Sequence, residues 1–179
     1  MKLPILALAL SLPLAALAQE PPMPKAPVTL KSLLLEQLRS THNQAGWFVA
    51  GNTAIEGLTA EQAKWTDGKG NHSVGQLTYH LVFWNADALR RFKGGKAAKV
   101  DNNDETFNDF DAAKWDALVK QFDQGMTDWE NAVAAADDAK LQRWAPTIAR
   151  VGTHNAYHIG QIVFVRKEQG SWNPDKGVK

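Results

Sequence analysis

The chain has 179 residues, no cysteine, seven tryptophans and a formal net charge of +1. Without cysteine it can form no disulfide, offers no thiolate ligand or thiol nucleophile, and has no residue to carry a lipoprotein anchor. A charge so near zero gives nucleic acid or an anionic membrane nothing to be steered by.

Residues 1–18 read as a secretory signal peptide. Lys2 supplies a positive start, Leu3 to Leu14 is mostly Leu and Ala, and Ala16-Leu17-Ala18 is a small-x-small cleavage site before Gln19. The apolar stretch is short for a membrane span, an uncleaved anchor being the alternative. Taking residues 1–18 from the 179 leaves 161, enough for one domain. No other apolar run approaches membrane-spanning length, so a periplasmic or secreted protein without stable membrane insertion is expected. Pro21, Pro22, Pro24 and Pro27 make residues 19–27 an extended linker. The domain should occupy residues 28–173, with 174–179 as a tail.

The first helix is expected from about Leu30 to Val49, capped by Thr29, with Leu30, Leu34, Leu38, Thr41, Ala45 and Phe48 on one stripe. Thr59-Ala-Glu-Gln62 has the capping-box pattern of a short helical turn. Ser73-Val-Gly-Gln76 is a second box, opening a helix whose inward stripe reads Leu77, His80, Leu81, Trp84 and Ala88 and which stops at Gly94-Gly95. Residues 96–110 are polar and read as a long connection, which frees the helices on either side from being antiparallel neighbours. A third helix starts near Asp111 and carries Trp115, Leu118, Val119, Phe122, Met126, Trp129 and Val133 inward. A fourth is expected to start near Pro146, with Val151, His154, His158, Ile162 and Val165 on its stripe and Gly170 at its end. Almost nothing alternates with period two. The fold class is therefore all-α, a four-helix bundle with a long crossover between helices 2 and 3.

Three histidines fall on core-facing stripes. His154 and His158 are four apart, one above the other on one helix face, and His80 faces inward from another helix. Buried imidazoles need polar partners, and one shared cation satisfies all three. Three packed histidines without metal are the competing reading. His42 could approach the core as a ligand or as a partner of one, and His72 reads as a solvated loop residue. The pattern is not that of a His-Glu-x-x-His protease, because Asn155 follows His154. Candidates to support the ligands are Gln76, Asp87 and Gln161, although Asp87 also reads as an exposed helix charge.

Gly75-Gln-Leu-Thr-Tyr-His80-Leu81 resembles the second-helix motif of the DinB/YfiT-like superfamily. The run from His154 to Ile162 resembles its fourth-helix motif, ending in His-x-Gly-Gln, and Glu56 to Gln62 with Trp65 fits the linker before the second helix. The similarity spans about residues 28–172. It implies a four-helix bundle with a long crossover and a divalent metal held by His80, His154 and His158.

The expected function is that of an exported metal-binding protein, a metal-dependent hydrolase or transferase acting on a small molecule. The expected cofactor is one divalent ion, zinc or nickel first, with iron, manganese or copper behind them. Relatives that use a small thiol fit poorly, because such thiols are cytoplasmic and this chain carries an export leader. The alternative is a non-enzymatic metal-binding or stress-related bundle. An exposed tryptophan would mark the face for a homodimer.

Overall fold

The structure is a computed structural model and describes residues 27–178. The expected signal peptide and nearly all of the expected linker lie outside the described residues. Every regular element among the described residues is helical: α1 (Leu30–His42), α2 (Gly51–Ile55), α3 (Ala60–Lys64), α4 (Val74–Phe92), α5 (Glu105–Asn108), α6 (Trp115–Ala135) and α7 (Asp138–Glu168), with 3-10 turns at Ala112–Lys114 and Pro174–Lys176.

Local sequence explains most of the boundaries. Thr29, Thr59 and Ser73 each close a capping box, with Ser32, Gln62 and Gln76 as the reciprocal partners. α1 ends seven residues short of the expected Val49. The chain leaves the helix at Asn43 and turns back, which buries Val49 and Ala50 but leaves Ala45 and Phe48 exposed. Gly51 then passes so close to α1 that a Cβ would stand 2.7 Å from the Thr41 carbonyl oxygen. α7 begins eight residues before the expected Pro146. Asp137 caps it by accepting from the Lys140 N–H, and Pro146 sits inside the helix. Pro146 has no N–H to give the Gln142 carbonyl. Both residues are exposed, so water takes that bond at little cost.

α1 and α4 each pack against both α6 and α7. Side-chain contacts give the directions. Lys31 reaches the Ala134 carbonyl and His42 reaches Asp123, so α1 and α6 are antiparallel. Phe92 packs on Trp144 and His80 meets His154, so α4 and α7 are antiparallel too. Tyr79 shares a cavity with Leu118, and Phe92 packs on Trp129, so α4 and α6 run in the same direction. The core between them holds Leu38, Leu81, Met126, Trp129, Val133, Leu141, Ile148 and Ile162, each almost or wholly without solvent contact.

The tryptophans only partly fill this core. Trp115 and Trp129 are buried, and each indole N–H donates to a carbonyl, of Leu58 and Asn85 respectively. Trp47, in the turn after α1, is 94% exposed. Among the described residues no helix is long and apolar enough to cross a membrane.

Candidate metal centre

α4 and α7 bring the three inward histidines to one point. His154 Nε2 stands 3.1 Å from His80 Nε2 and 3.1 Å from His158 Nε2. His80 and His158 are buried, and His154 is half-buried. Two nitrogens that share an ion at about 2.1 Å lie about 3.0–3.4 Å apart in octahedral or tetrahedral geometry, so these two spacings fit a metal, and the third pair, His80 with His158, lies within 4.8 Å.

The hydrogen bonds behind the rings decide what faces the centre. The Thr106 hydroxyl spends its proton on the Asn103 carbonyl at 2.6 Å. Its oxygen can then only accept from His80 Nδ1, also at 2.6 Å, so His80 carries its proton on Nδ1. His158 Nδ1 donates to the amide oxygen of Gln161 at 2.6 Å, and the Gln161 amide nitrogen points at the Tyr157 hydroxyl. Both imidazoles therefore present a bare Nε2 lone pair to the cluster. His154 Nε2 has at most one proton to offer two acceptors. At least one buried lone pair goes unanswered without a cation, and three converge when His154 is also protonated on Nδ1.

The candidate supporting residues separate. Gln161 orients His158. Gln76 is spent on the cap of α4, its amide oxygen accepting from the Ser73 N–H. Asp87 is buried rather than exposed. It pairs with Arg90 and Arg91 and accepts from the Ala98 N–H, so it ties down the start of the segment after α4. His42 is buried away from the trio. Its Nδ1 meets Glu130 at 2.7 Å and its Nε2 meets Asp123 at 2.9 Å, which clamps α1 to α6.

Three contributors carry no periodic signal in the sequence. Thr106 and Phe107 come from α5, inside the segment read as a polar connection. The Phe107 ring lies flat on His80, with centroids 3.8 Å apart and planes 9° from parallel. His72 stacks on the other face of Phe107 at 4.0 Å and 3°. It is a half-buried member of a three-ring pile, not a solvated loop residue. The stretch Asn103 to Phe107 offers one advance clue, a threonine and a phenylalanine together in an otherwise polar run.

Comparison with known proteins now adds to the geometry. The family described as the DinB superfamily matches residues 52–163, which include all three histidines, the whole of α4 and α7 as far as Val163. The chain belongs to the DinB superfamily. No curated protein and no solved structure matches it. The trio of this DinB protein is the one group of its kind found among the described residues: three His, Asp or Glu side chains whose ligand atoms lie within 4.8 Å of one another.

Burial holds these imidazoles neutral. Loss of solvent, followed by the neighbouring imidazoles, pushes His80 down to about 3 and His154 down to about 4. Burial also lowers His158, and its bond to Gln161 opposes that in part. In the unfolded DinB chain each takes its proton near pH 6.5. Between 6.5 and the folded values the unfolded chain binds more protons, so stability is full above about 6.5 and falls as pH drops. The metal-free protein should therefore show a urea midpoint that declines from pH 6.5 to 5, above the range where carboxylates titrate. The limiting slope is about 1.4 kcal/mol per pH unit for each histidine, reached only if no water enters the cluster. A midpoint that stays flat over that interval would contradict neutral burial, and a His80→Gln/His154→Gln chain should lose most of the slope, His158 keeping its share.

Proposed function

We propose that this chain is an exported DinB metalloprotein whose His80, His154 and His158 hold one divalent ion and act with it on a small molecule. The observation that carries the reading is the pair of Nε2 lone pairs fixed toward one point by Thr106 and Gln161. A divalent ion bound there supplies Lewis-acid polarisation of an oxygen or sulfur on the molecule beside it, the chemistry of metal-dependent hydrolases and transferases. The chain's own residues do the rest. Thr106 and Gln161 keep the Nδ1 protons in place. Phe107 covers one face of His80 and keeps water from it. His72 backs Phe107 from its far side.

The four long helices are read as a four-helix bundle in which residues 93–114 form the crossover. Its support is the parallel course of α4 and α6, which a short hairpin cannot join. Residues 1–18 are read as the export leader on their composition alone.

A second reading, a metal-holding protein without turnover, draws on a different observation. Among the described residues, no carboxylate hydrogen-bonds any of the three imidazoles, so no general base is in place.

One preparation tests these readings together. Full-length protein expressed with its leader and recovered outside the cytoplasm should begin at Gln19 and carry about one equivalent of divalent metal by elemental analysis. Chelation should lower its melting temperature, since an ion that binds only the folded chain stabilises it. A metal-free preparation that gains no thermal stability with zinc, nickel, iron or manganese would remove the metal site. Turnover of small esters or thiols by the loaded protein separates enzyme from holder.

A further inference from the structure

We propose that the cleft on the α4–α7 face next to the histidines is a recognition site for a small anion, a carboxylate or a phosphate, anchored by Arg150 with Arg91 beyond it. The inference deepens the metal reading by naming a substrate class, and it rests on that reading for what happens to the anion once bound.

The cleft has a volume of about 490 Å³, and both His80 and His154 form part of its wall. Arg150 lies one turn before His154, so the two side chains share a helix face with an axial offset of about 6 Å. Arg91 lies three turns after His80, about 16 Å along α4. Neither an Asp nor a Glu lines the cleft. Arg91 is held through Nε by Asp87 at 2.9 Å, which fixes its guanidinium. Arg150 is exposed, and its guanidinium makes no ion pair or hydrogen bond among the described residues. A guanidinium without a carboxylate partner, one turn from a candidate metal ligand, matches the fork geometry that carboxylate and phosphate oxygens accept.

Two further features show a shaped site rather than a bare basic surface. Trp84 forms an apolar wall of the cleft. Asn85 lies in it as well, buried to 4% exposure, with an amide oxygen that has no partner among the described residues.

The opposite side of the cluster has the reverse charge. A second cavity of about 300 Å³ touches His72 and Gln161, and its ionised side chains are Asp67 and Glu168, with no Lys or Arg. An anion is repelled on that side and attracted on the Arg150 side, so the field across the histidines sets the direction of approach.

The test is a titration of the isotope-labelled full chain, metal-free and metal-loaded, with inorganic phosphate and separately with acetate, ionic strength being held constant with chloride. The expected result is a saturable shift of the Trp84 indole and the Thr147–Val151 amides with at least one of the two anions. Arg150→Gln should weaken that binding at least tenfold, and Arg150→Lys should weaken it less, because lysine keeps the charge but loses the fork. Response to phosphate alone assigns a phosphate ligand, and response to acetate alone assigns a carboxylate. No saturable shift, or equal binding by Arg150→Gln, would overturn the proposal. Anion binding by a metal-free chain that also refuses metal would sink the metal reading and leave this one standing.

Discussion

Replacing His158 with alanine should take bound divalent metal from about one equivalent per chain to less than about a tenth. The residue supplies one of three nitrogens, and its loss leaves His154 and His80 to hold an ion with a single 3.1 Å nitrogen pair. Elemental analysis of the variant checks this directly, and a full equivalent retained by His158→Ala would remove the site as described. Thr106→Val probes the same centre without touching a ligand. Valine keeps the shape of threonine but takes away the oxygen that receives the His80 Nδ1 proton. The ring then loses its fixed tautomer, and metal affinity should fall about 10–100-fold in a chelator competition. The metal-free stability of Thr106→Val should fall as well, by about 1–3 kcal/mol, because valine also leaves buried hydrogen-bonding groups without a partner.

The second large effect is expected at Gly75. In an ordinary helix, Gly→Ala stabilises by about 0.5–1 kcal/mol through lower backbone entropy in the unfolded chain. Here a Cβ would overlap the ring of Phe110, which is half-buried and packed edge-on against Trp115. Overpacking of that kind costs about 1–3 kcal/mol, so the clash should win. Gly75→Ala should lower the melting temperature by several degrees, at roughly 2–4 °C per kcal/mol for a chain of this size. The sign should reverse in a Phe110→Ala background, where the ring that the new methyl would overlap is gone and the entropy gain remains. Equal effects in both backgrounds, measured as a double-mutant cycle, would show that the ring is not the obstacle. Because Phe110 lies three residues from Phe107, the displaced ring should also disturb the packing on His80, and Gly75→Ala should bind metal more weakly than the parent.

The inward stripes of α4, α6 and α7 were legible in the sequence because burial on one helix face leaves a period of 3.6 in the residue order. That period put His80, His154 and His158 on core-facing positions, and the structure brings them together. Helix ends were less legible. Pro146 looks like a start, but an exposed proline is tolerated inside α7 once Asp137 has already supplied a cap nine residues earlier. The end of α1 depends on where Val49 and Ala50 find cover, and that cover comes from distant parts of the chain. Thr106, Phe107 and the stacked His72 left no periodic signal of their role, only a threonine and a phenylalanine side by side in a polar run. Thr106 and Phe107 reach His80 from a four-residue helix inside a long connection, and a ring stack across 27 or more positions has no period to read. His42 and Asp87 were ambiguous for a related reason. A charged side chain on a helix looks the same in sequence whether it meets water, as expected for Asp87, or the Arg90, Arg91 and Ala98 groups that bury it.

The pile of His72, Phe107 and His80 divides labour within the chain. The long helices fix where the imidazoles stand, while a stretch outside them decides how one is proton-labelled and shielded. Changes at Thr106 or Phe107 therefore act twice, on the imidazole they orient and shield and on the buried interior to which they belong.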